Sequence, residues 1–553
     1  MIFQRCNPAE NFVQIRLEIH RKKCYIKSGG DFGREISQAA YEKWQKRDSK
    51  ERIRQAELME MLYNSTRSKG ISIKASQAIL RGLSEDGGLF VPDHIPELDR
   101  SLEELAQMDY RQTAFEVMKL FLTDFTEEEL RSCIDSAYDG KFDTDKIAPL
   151  KEAGGAYYLE LFHGPTIAFK DMALSILPHL MITAARKNHV KNEIVILTAT
   201  SGDTGKAALA GFAGVEGTRI IVFYPKDGVS AIQEKQMVTQ KGENTLVVGI
   251  QGNFDDAQSG VKRIFADKEL AKEMEEKGFR FSSANSINIG RLVPQICYYV
   301  YAYGTLLREG KIAAGEAVNV VVPTGNFGNI LAAYYAKNMG LPIGKLICAS
   351  NENKVLYDFF RTGAYDRNRE FVLTSSPSMD ILISSNLERL IFRIAGNDAD
   401  QNRALMEALS GQGKYQVTAD MQAALGDFYG NYATEQEAAA EICRLYRDYD
   451  YVIDTHTAVA SAVYRKYTQE TQDTAKAVIA STASPYKFTR SVMNAVGKGD
   501  KDKDDFALVD ELAGLSGVKV PQAVEEIRTA PVLHKKQCEA AQMKDVVREF
   551  LGL

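Results

Sequence analysis

Lys170 ends the stretch Leu161-Phe162-His163-Gly164-Pro165-Thr166-Ile167-Ala168-Phe169-Lys170, just before Asp171. A strand is expected over Tyr157 to Leu161, then a Gly-Pro turn. A helix follows from near Asp171, with Leu174, Leu177, Leu180 and Met181 at helical spacing. Lys170 would then stand at a strand-to-helix corner on a sheet edge, beside the apolar Ile167, Ala168 and Phe169. An ammonium held among such groups loses hydration and its pKa falls. The free amine can act as a nucleophile and form a Schiff base with a carbonyl cofactor. Alone, a lysine ahead of a helix reads as a solvated one. Two glycine loops in matching places elsewhere in the chain change that reading.

The first of these loops, Pro323-Thr324-Gly325-Asn326-Phe327-Gly328-Asn329, follows the apolar run Asn319 to Val322 and leads into a helix ending near Asn338. Two glycines let backbone N–H groups converge, and the helix dipole adds positive potential. That is either a phosphate cradle or an ordinary strand-to-helix turn. The second, Ser201-Gly202-Asp203-Thr204-Gly205, follows Ile194 to Leu197 and sets hydroxyls beside open amides, which suits a carboxylate. Lys206 comes next and invites comparison with a nucleotide P-loop. The comparison fails, because Thr200 and Ala207 stand where GxxxxGK[ST] needs glycine and Ser or Thr. An imine-forming lysine, a phosphate cradle and a carboxylate-sized loop together describe a pyridoxal-phosphate enzyme acting on an amino acid.

The positioning elements read as strand, loop and helix in alternation. Ile194–Leu197, Ile220–Phe223, Leu246–Val248, Asn319–Val322 and Leu346–Cys348 are short, continuously apolar runs, as in strands buried on both faces. Helices are expected over 206–212, 231–240, 254–277 and 292–307. An α/β fold with parallel sheets flanked by helices follows, and ligands in such sheets collect at the carboxyl ends of strands. Residues 72–83 and 97–138 read as helical, with a short apolar strand near Leu89 to Pro92. Residues 385–448 read as a polar helical insertion. Tyr451–Ile453 and Ala477–Ile479 read as returning strands, and the last helices as peripheral.

The chain has 553 residues, 45% of them hydrophobic, enough for two or three domains. A net charge of -6 without charged blocks gives no reason to expect nucleic acid as a partner. No apolar run approaches the roughly 18 residues of a membrane span. Seven scattered cysteines without a CxxC pair suggest free thiols in a reducing cytosol, and no metal-ligand spacing stands out among the histidines. Residues 1–58 differ in character, with 13 Lys and Arg against 8 Asp and Glu. Ala39 to Leu58 could form one charged helix, and the extension need not belong to the folded enzyme. The expected divisions are thus 1–58, an N-terminal domain at 59–150, a catalytic core at 151–500 and C-terminal helices at 501–553.

The stretches His163–Asp171, Ser201–Gly205 and Gly325–Asn329 resemble the motifs of the threonine synthase family. So do Tyr63-Asn64-Ser65-Thr66-Arg67 and Ser283-Ala284-Asn285-Ser286-Ile287-Asn288-Ile289-Gly290-Arg291. The resemblance covers roughly residues 61–500, in the expected order, and implies a fold-type II pyridoxal-phosphate enzyme with a two-domain core. It implies conversion of O-phospho-L-homoserine and water to L-threonine and phosphate, the last step of threonine biosynthesis. The alternative is another lyase of that fold type, such as a dehydratase or an amino-phospholyase.

By the same resemblance, Lys170 would carry pyridoxal 5'-phosphate, Gly325, Asn326, Phe327, Gly328 and Asn329 would bind its phosphate, and Thr482 would face the pyridine nitrogen. Ser201, Asp203 and Thr204 would hold the substrate carboxylate. Ser286, Asn288, Arg291 and Arg67 are the candidates for its phosphate. A cytoplasmic monomer or homodimer is expected. Three positions depart from the family pattern: Ser68, for glycine after Ser-Thr-Arg; Thr455, for proline; and Ser484, for histidine after Thr482-Ala483.

Overall fold

The computed structural model describes residues 60–553 apart from Ser201 and Asp227. Ahead of these it describes only the backbone of strands Arg16–His20, Lys23–Ser28 and Asp31–Ile36, which pair as an antiparallel sheet. The helix expected over Ala39 to Leu58 lies outside the described residues. The chain divides into two compact units, 1–60 and 61–553. The second carries every glycine loop noted above.

That unit is built on two sheets. The larger orders its strands Phe428–Tyr432, Ile343–Ser350, Val318–Pro323, Ala477–Ser481, Ala156–Glu160 and Leu150–Ala153, parallel throughout except for the last pair. The smaller orders Phe279–Ser282, Glu193–Ala199, Thr218–Pro225, Thr245–Gln251 and Gln537–Glu539, all parallel. All six residues of Val318–Pro323 are buried, as the continuous apolar run requires of a strand covered on both faces. Helix Ile289–Arg308 is buried along nearly its whole length and packs against helix Tyr110–Phe121. A small antiparallel sheet, with Leu62–Ser65 between Ser72–Lys74 and Phe90–Pro92, delivers Thr66 and Arg67 at its end.

Four expectations are corrected. Tyr451–Ile453 is no strand but a buried link between helices Glu435–Tyr449 and Thr455–Thr471, so its apolar side chains serve packing rather than a ladder. The helix over 254–277 breaks at Asp267, whose extended backbone starts a second helix and whose carboxylate caps it at Leu270 N. The insertion at 385–448 contains Phe428–Tyr432, the edge strand of the larger sheet. Its Gly430 and Asn431 conceal the strand because both types are rare in strands.

Finally, the C-terminal residues are not peripheral. Gln537–Glu539 completes the smaller sheet, and helix Met543–Leu551 buries Met543, Val546, Val547 and Leu551 in the core that includes Val248, Ile250 and Ile264. Burying four such side chains contributes about 6–12 kcal/mol, comparable with the whole net stability of a domain, about 5–15 kcal/mol. Deleting residues 531–553 is therefore expected to unfold the smaller sheet, read as loss of the cooperative thermal transition. A truncated chain melting within a few degrees of the full one would show that this segment is dispensable.

Candidate active site

The corner that presents Lys170 is strained and tightly braced. Leu161 N donates to Ser481 O at 2.9 Å, so the segment leaves strand Ala156–Glu160 still tied to its neighbour. Ile167 then adopts φ 53°, an outlier for a β-branched residue. Buried Asp171 accepts from Thr166 N at 2.8 Å and Thr166 Oγ1 at 2.5 Å, closing the turn. Gly164 permits this closure, since a Cβ there would lie 2.6 Å from the Asp171 side chain. Phe169 N donates to Thr482 O at 2.8 Å, and Thr482 directly follows strand Ala477–Ser481. Lys170 and Thr482 therefore emerge side by side from adjacent strands of one sheet.

Lys170 is 8% exposed. Its Nζ lies 2.9 Å from Ser378 Oγ and 3.3 Å from Asp203 Oδ2. Burial lowers its pKa against the pull of Asp203, and the nearby Lys487 and Arg291 lower it further. Burial and the neighbouring cations thus favour the neutral amine, and Asp203 opposes them. Asp203 comes from the other sheet, at the start of helix Asp203–Phe212. Burial alone would raise its pKa. The ammoniums of Lys487 and Lys170 and a bond from Gln233 Nε2 at 2.9 Å hold it instead well below the usual carboxylate range.

This overturns one expectation. The Asp203 carboxylate is the buried counter-ion of two lysines and would repel a substrate carboxylate rather than hold it. Thr204, half-buried, opens the same helix behind Gly202, whose φ of 134° needs glycine. Ser201 lies outside the described residues.

The loop Gly325–Asn329 leaves strand Val318–Pro323, neighbour to Ala477–Ser481. Its carbonyls are engaged on one side: Gly325 O accepts from Ser384 Oγ at 2.6 Å, and Asn326 O from Asn386 N at 3.1 Å and Asn386 Nδ2 at 2.9 Å. Phe327 sits in the left-handed region (φ 63°) and turns the chain into helix Gly328–Asn338, whose first amides have no intrahelical acceptor. Buried Asn329 Nδ2 is without a partner. A Cβ on Gly325 would stand 2.3 Å from Ser378 O. Open amides, a helix N-terminus and an orphaned amide donor fit a phosphate group, beside the lysine that a carbonyl cofactor requires.

The residues expected to hold a second phosphate divide. Arg291, 3% exposed, donates from Nη1 to Ala284 O at 3.0 Å, and its Nε has no partner. Desolvation lowers its pKa to about 10, with no carboxylate to offset it. A buried guanidinium of this kind favours an anionic ligand. Asn288 is committed otherwise: it caps helix Ile289–Arg308 through Gly290 N and donates to Ile79 O and Ser283 O, so it shapes the loop rather than facing a ligand. Arg67 forms a bidentate pair with Glu388 at 2.8 and 2.7 Å, which also meets its charge without a ligand. Ser286 is half-buried at the turn before Asn288.

Several residues of the site went unread in the sequence. Ser378 touches both Lys170 and Asp203, and its N–H donates to His456 Nε2 at 3.2 Å, which places the ring proton on Nδ1 toward Asp454 at 3.0 Å. The signal available was Ser376-Pro377-Ser378, a turn whose target only the fold reveals. Two of the departures have local explanations. Thr455 is the first residue of its helix, where proline also fits, and its hydroxyl donates to Ser375 O at 2.7 Å. Ser484 caps the short turn Pro485–Phe488.

Family models match most of the chain: "Threonine synthase N terminus" over residues 62–138, "Pyridoxal-phosphate dependent enzyme" over 146–483 and "Threonine synthase, C-terminal" over 457–537. Threonine synthase of Saccharomyces cerevisiae is 35% identical, over 87% of this chain and 99% of its own. Human threonine synthase-like 1 is 41% identical over 76% of this chain, and the aligned part spans only 58% of that protein. Among solved structures, pyridoxal-phosphate-bound threonine synthase from Brucella melitensis superposes with a TM-score of 0.79 at 34% identity, over 89% of this chain and 100% of that one.

Gly325→Ala is expected to weaken cofactor affinity at least tenfold, because the new methyl must displace either the loop or Ser378. Titration of the stripped protein with pyridoxal phosphate, followed by fluorescence, checks this. An unchanged affinity would remove Gly325–Asn329 from the cofactor site.

Proposed function

From the premise that the chain belongs to the threonine synthase family of pyridoxal-phosphate-dependent enzymes, we propose that it converts O-phospho-L-homoserine and water into L-threonine and phosphate. What supports this reading is the open helix start at Gly325–Asn329 together with the buried Arg291, whose Nε is unpartnered and which no carboxylate offsets; each would suit one phosphate. An enzyme of this class acting on an unphosphorylated amino acid has no use for the second site.

The cofactor, when bound, supplies an electron sink that eases loss of protons next to the substrate's amine-bearing carbon. Lys170 Nζ, released by the substrate, takes the proton from Cα and then serves the proton transfers at Cβ. The Cγ–O bond breaks and phosphate leaves; Cγ then takes up a proton to become the methyl group, water adds its oxygen at Cβ, and a proton returns to Cα. Arg291 holds the departing phosphate, and the amides behind Gly202 hold the carboxylate. Thr482 faces the ring nitrogen with a hydroxyl rather than a carboxylate. The five described cysteines outside residues 1–60 are all free thiols, which supports a reducing compartment such as the cytosol.

A second reading is a lyase on another phosphorylated amine, because the amides of Gly325–Asn329 and the buried Arg291 would meet any phosphorylated amine and do not specify the homoserine skeleton. The deciding experiment incubates the purified protein with O-phosphohomoserine and measures phosphate and threonine together. Equal release supports threonine synthesis, whereas phosphate with a keto acid and no threonine sinks it. Arg291→Ala should cost about 2–5 kcal/mol on the phosphorylated substrate, one to four orders of magnitude in kcat/KM. Cofactor absorbance and slow side reactions on serine should change little. Equal losses on both substrates would make Arg291 structural.

A further inference from the structure

Lys487 is a wholly buried lysine that the proposed reaction does not use. Its Nζ lies 3.1 Å from Asp203 Oδ1, while Lys170 takes the other oxygen, Oδ2, at 3.3 Å. It also donates to Thr166 O at 2.9 Å, inside the turn that presents Lys170. Lysine is almost never fully buried unless paired, and here its partner is the carboxylate that also binds the cofactor lysine. We propose that Lys487 is the standing counter-ion of Asp203 and thereby leaves the Lys170 amine free to attach the cofactor. The proposal rests on Lys170 as the attachment point.

The electrostatic argument turns on what one buried carboxylate does to one lysine. With Lys170 as its only cation, Asp203 would hold that ammonium protonated, because neither charge could otherwise be compensated in the interior. Lys487 meets the charge of Asp203 from the opposite side and repels Lys170. Around Lys170 stand Asp203, Ser378 and Arg291; around Lys487 stand Asp203, Asp171 and Lys206; His456 lies behind Ser378, its Nε2 accepting from Ser378 N. Both Lys487 and Arg291 act to lower the pKa of Lys170. Lys487 is therefore a positioning residue, acting through Asp203.

The test strips the holoprotein with hydroxylamine and reloads it with pyridoxal phosphate from about pH 6 to 10. Attachment is read by absorbance of the bound cofactor and by the mass of the Lys170 peptide after borohydride reduction. In Lys487→Met the pH of half-maximal attachment should rise by about one unit, making loading roughly tenfold slower at neutral pH. Adding Asp203→Asn to that variant should bring the midpoint back down. A parent-like pH profile for Lys487→Met, or an upward shift that persists in the double variant, overturns the proposal. Should circular dichroism show that Lys487→Met does not fold, Lys487→Gln, which can still donate to Thr166 O, takes its place: a raised midpoint supports the role, and an unchanged one overturns it. Label on a different lysine would instead overturn the assignment of Lys170. Phosphohomoserine is absent throughout, so the substrate assignment stands or falls separately.

Discussion

One carboxylate joins the two sheets chemically. Asp203 stands at the carboxyl end of the smaller sheet, while Lys170 and Lys487 come from loops at the carboxyl ends of adjacent strands in the larger. An unpaired buried ion is among the most destabilising features a protein interior can contain, so either half alone would leave a charge uncompensated. The pair of sheets must meet in one register for the charges to cancel. The same meeting puts Ser378 beside Lys170, Gln233 beside Asp203 and His456 behind Ser378.

The cations of this unit show how burial can be structural in one place and poised in another. Arg389 is as buried as any described residue, yet each of its three guanidinium nitrogens has an acceptor, in Phe90 O, Asn386 Oδ1 and Ile287 O. Through Asn386 it reaches the carbonyl of Asn326, and through Ile287 it fixes the turn ahead of the helix that carries Arg291. Arg291, in the first turn of helix Ile289–Arg308, keeps its Nε unpaired. The first guanidinium holds the framework still so that the second can remain incompletely satisfied. Local order of this kind lets an enzyme keep an unpaired donor in place without collapse around it.

Much of this was legible in the sequence because chemistry and backbone geometry coincided there. The corner at Lys170 and the turn at Gly325–Asn329 are local: glycine, proline and apolar strand residues lie within a dozen positions of the functional group. The parallel strands could be read from unbroken apolar runs such as Val318–Pro323. What escaped was non-local or masked. Ser378 lies 208 residues from Lys170 and meets it only because Gly325 leaves room for its carbonyl. Asp203 looked like a carboxylate-loop residue until two lysines, 33 residues before it and 284 after it, were seen on either side. Phe428–Tyr432 and Gln537–Glu539 are edge strands, where one paired side and polar residues erase the apolar signature.

The larger sheet seats Ala156–Glu160 directly beside Ala477–Ser481, and the smaller is finished by Gln537–Glu539. A ribosome adds roughly 5–20 residues per second. Strand Ala156–Glu160 must therefore wait on the order of tens of seconds for Ala477–Ser481, and the smaller sheet waits until residues 537–539, far beyond strand Phe279–Ser282, have been added. Pairings between segments so distant in sequence form slowly, and meanwhile they leave apolar strand edges exposed. Lys170 therefore cannot meet Asp203 and Lys487 together until both sheets have gathered strands made far apart in time.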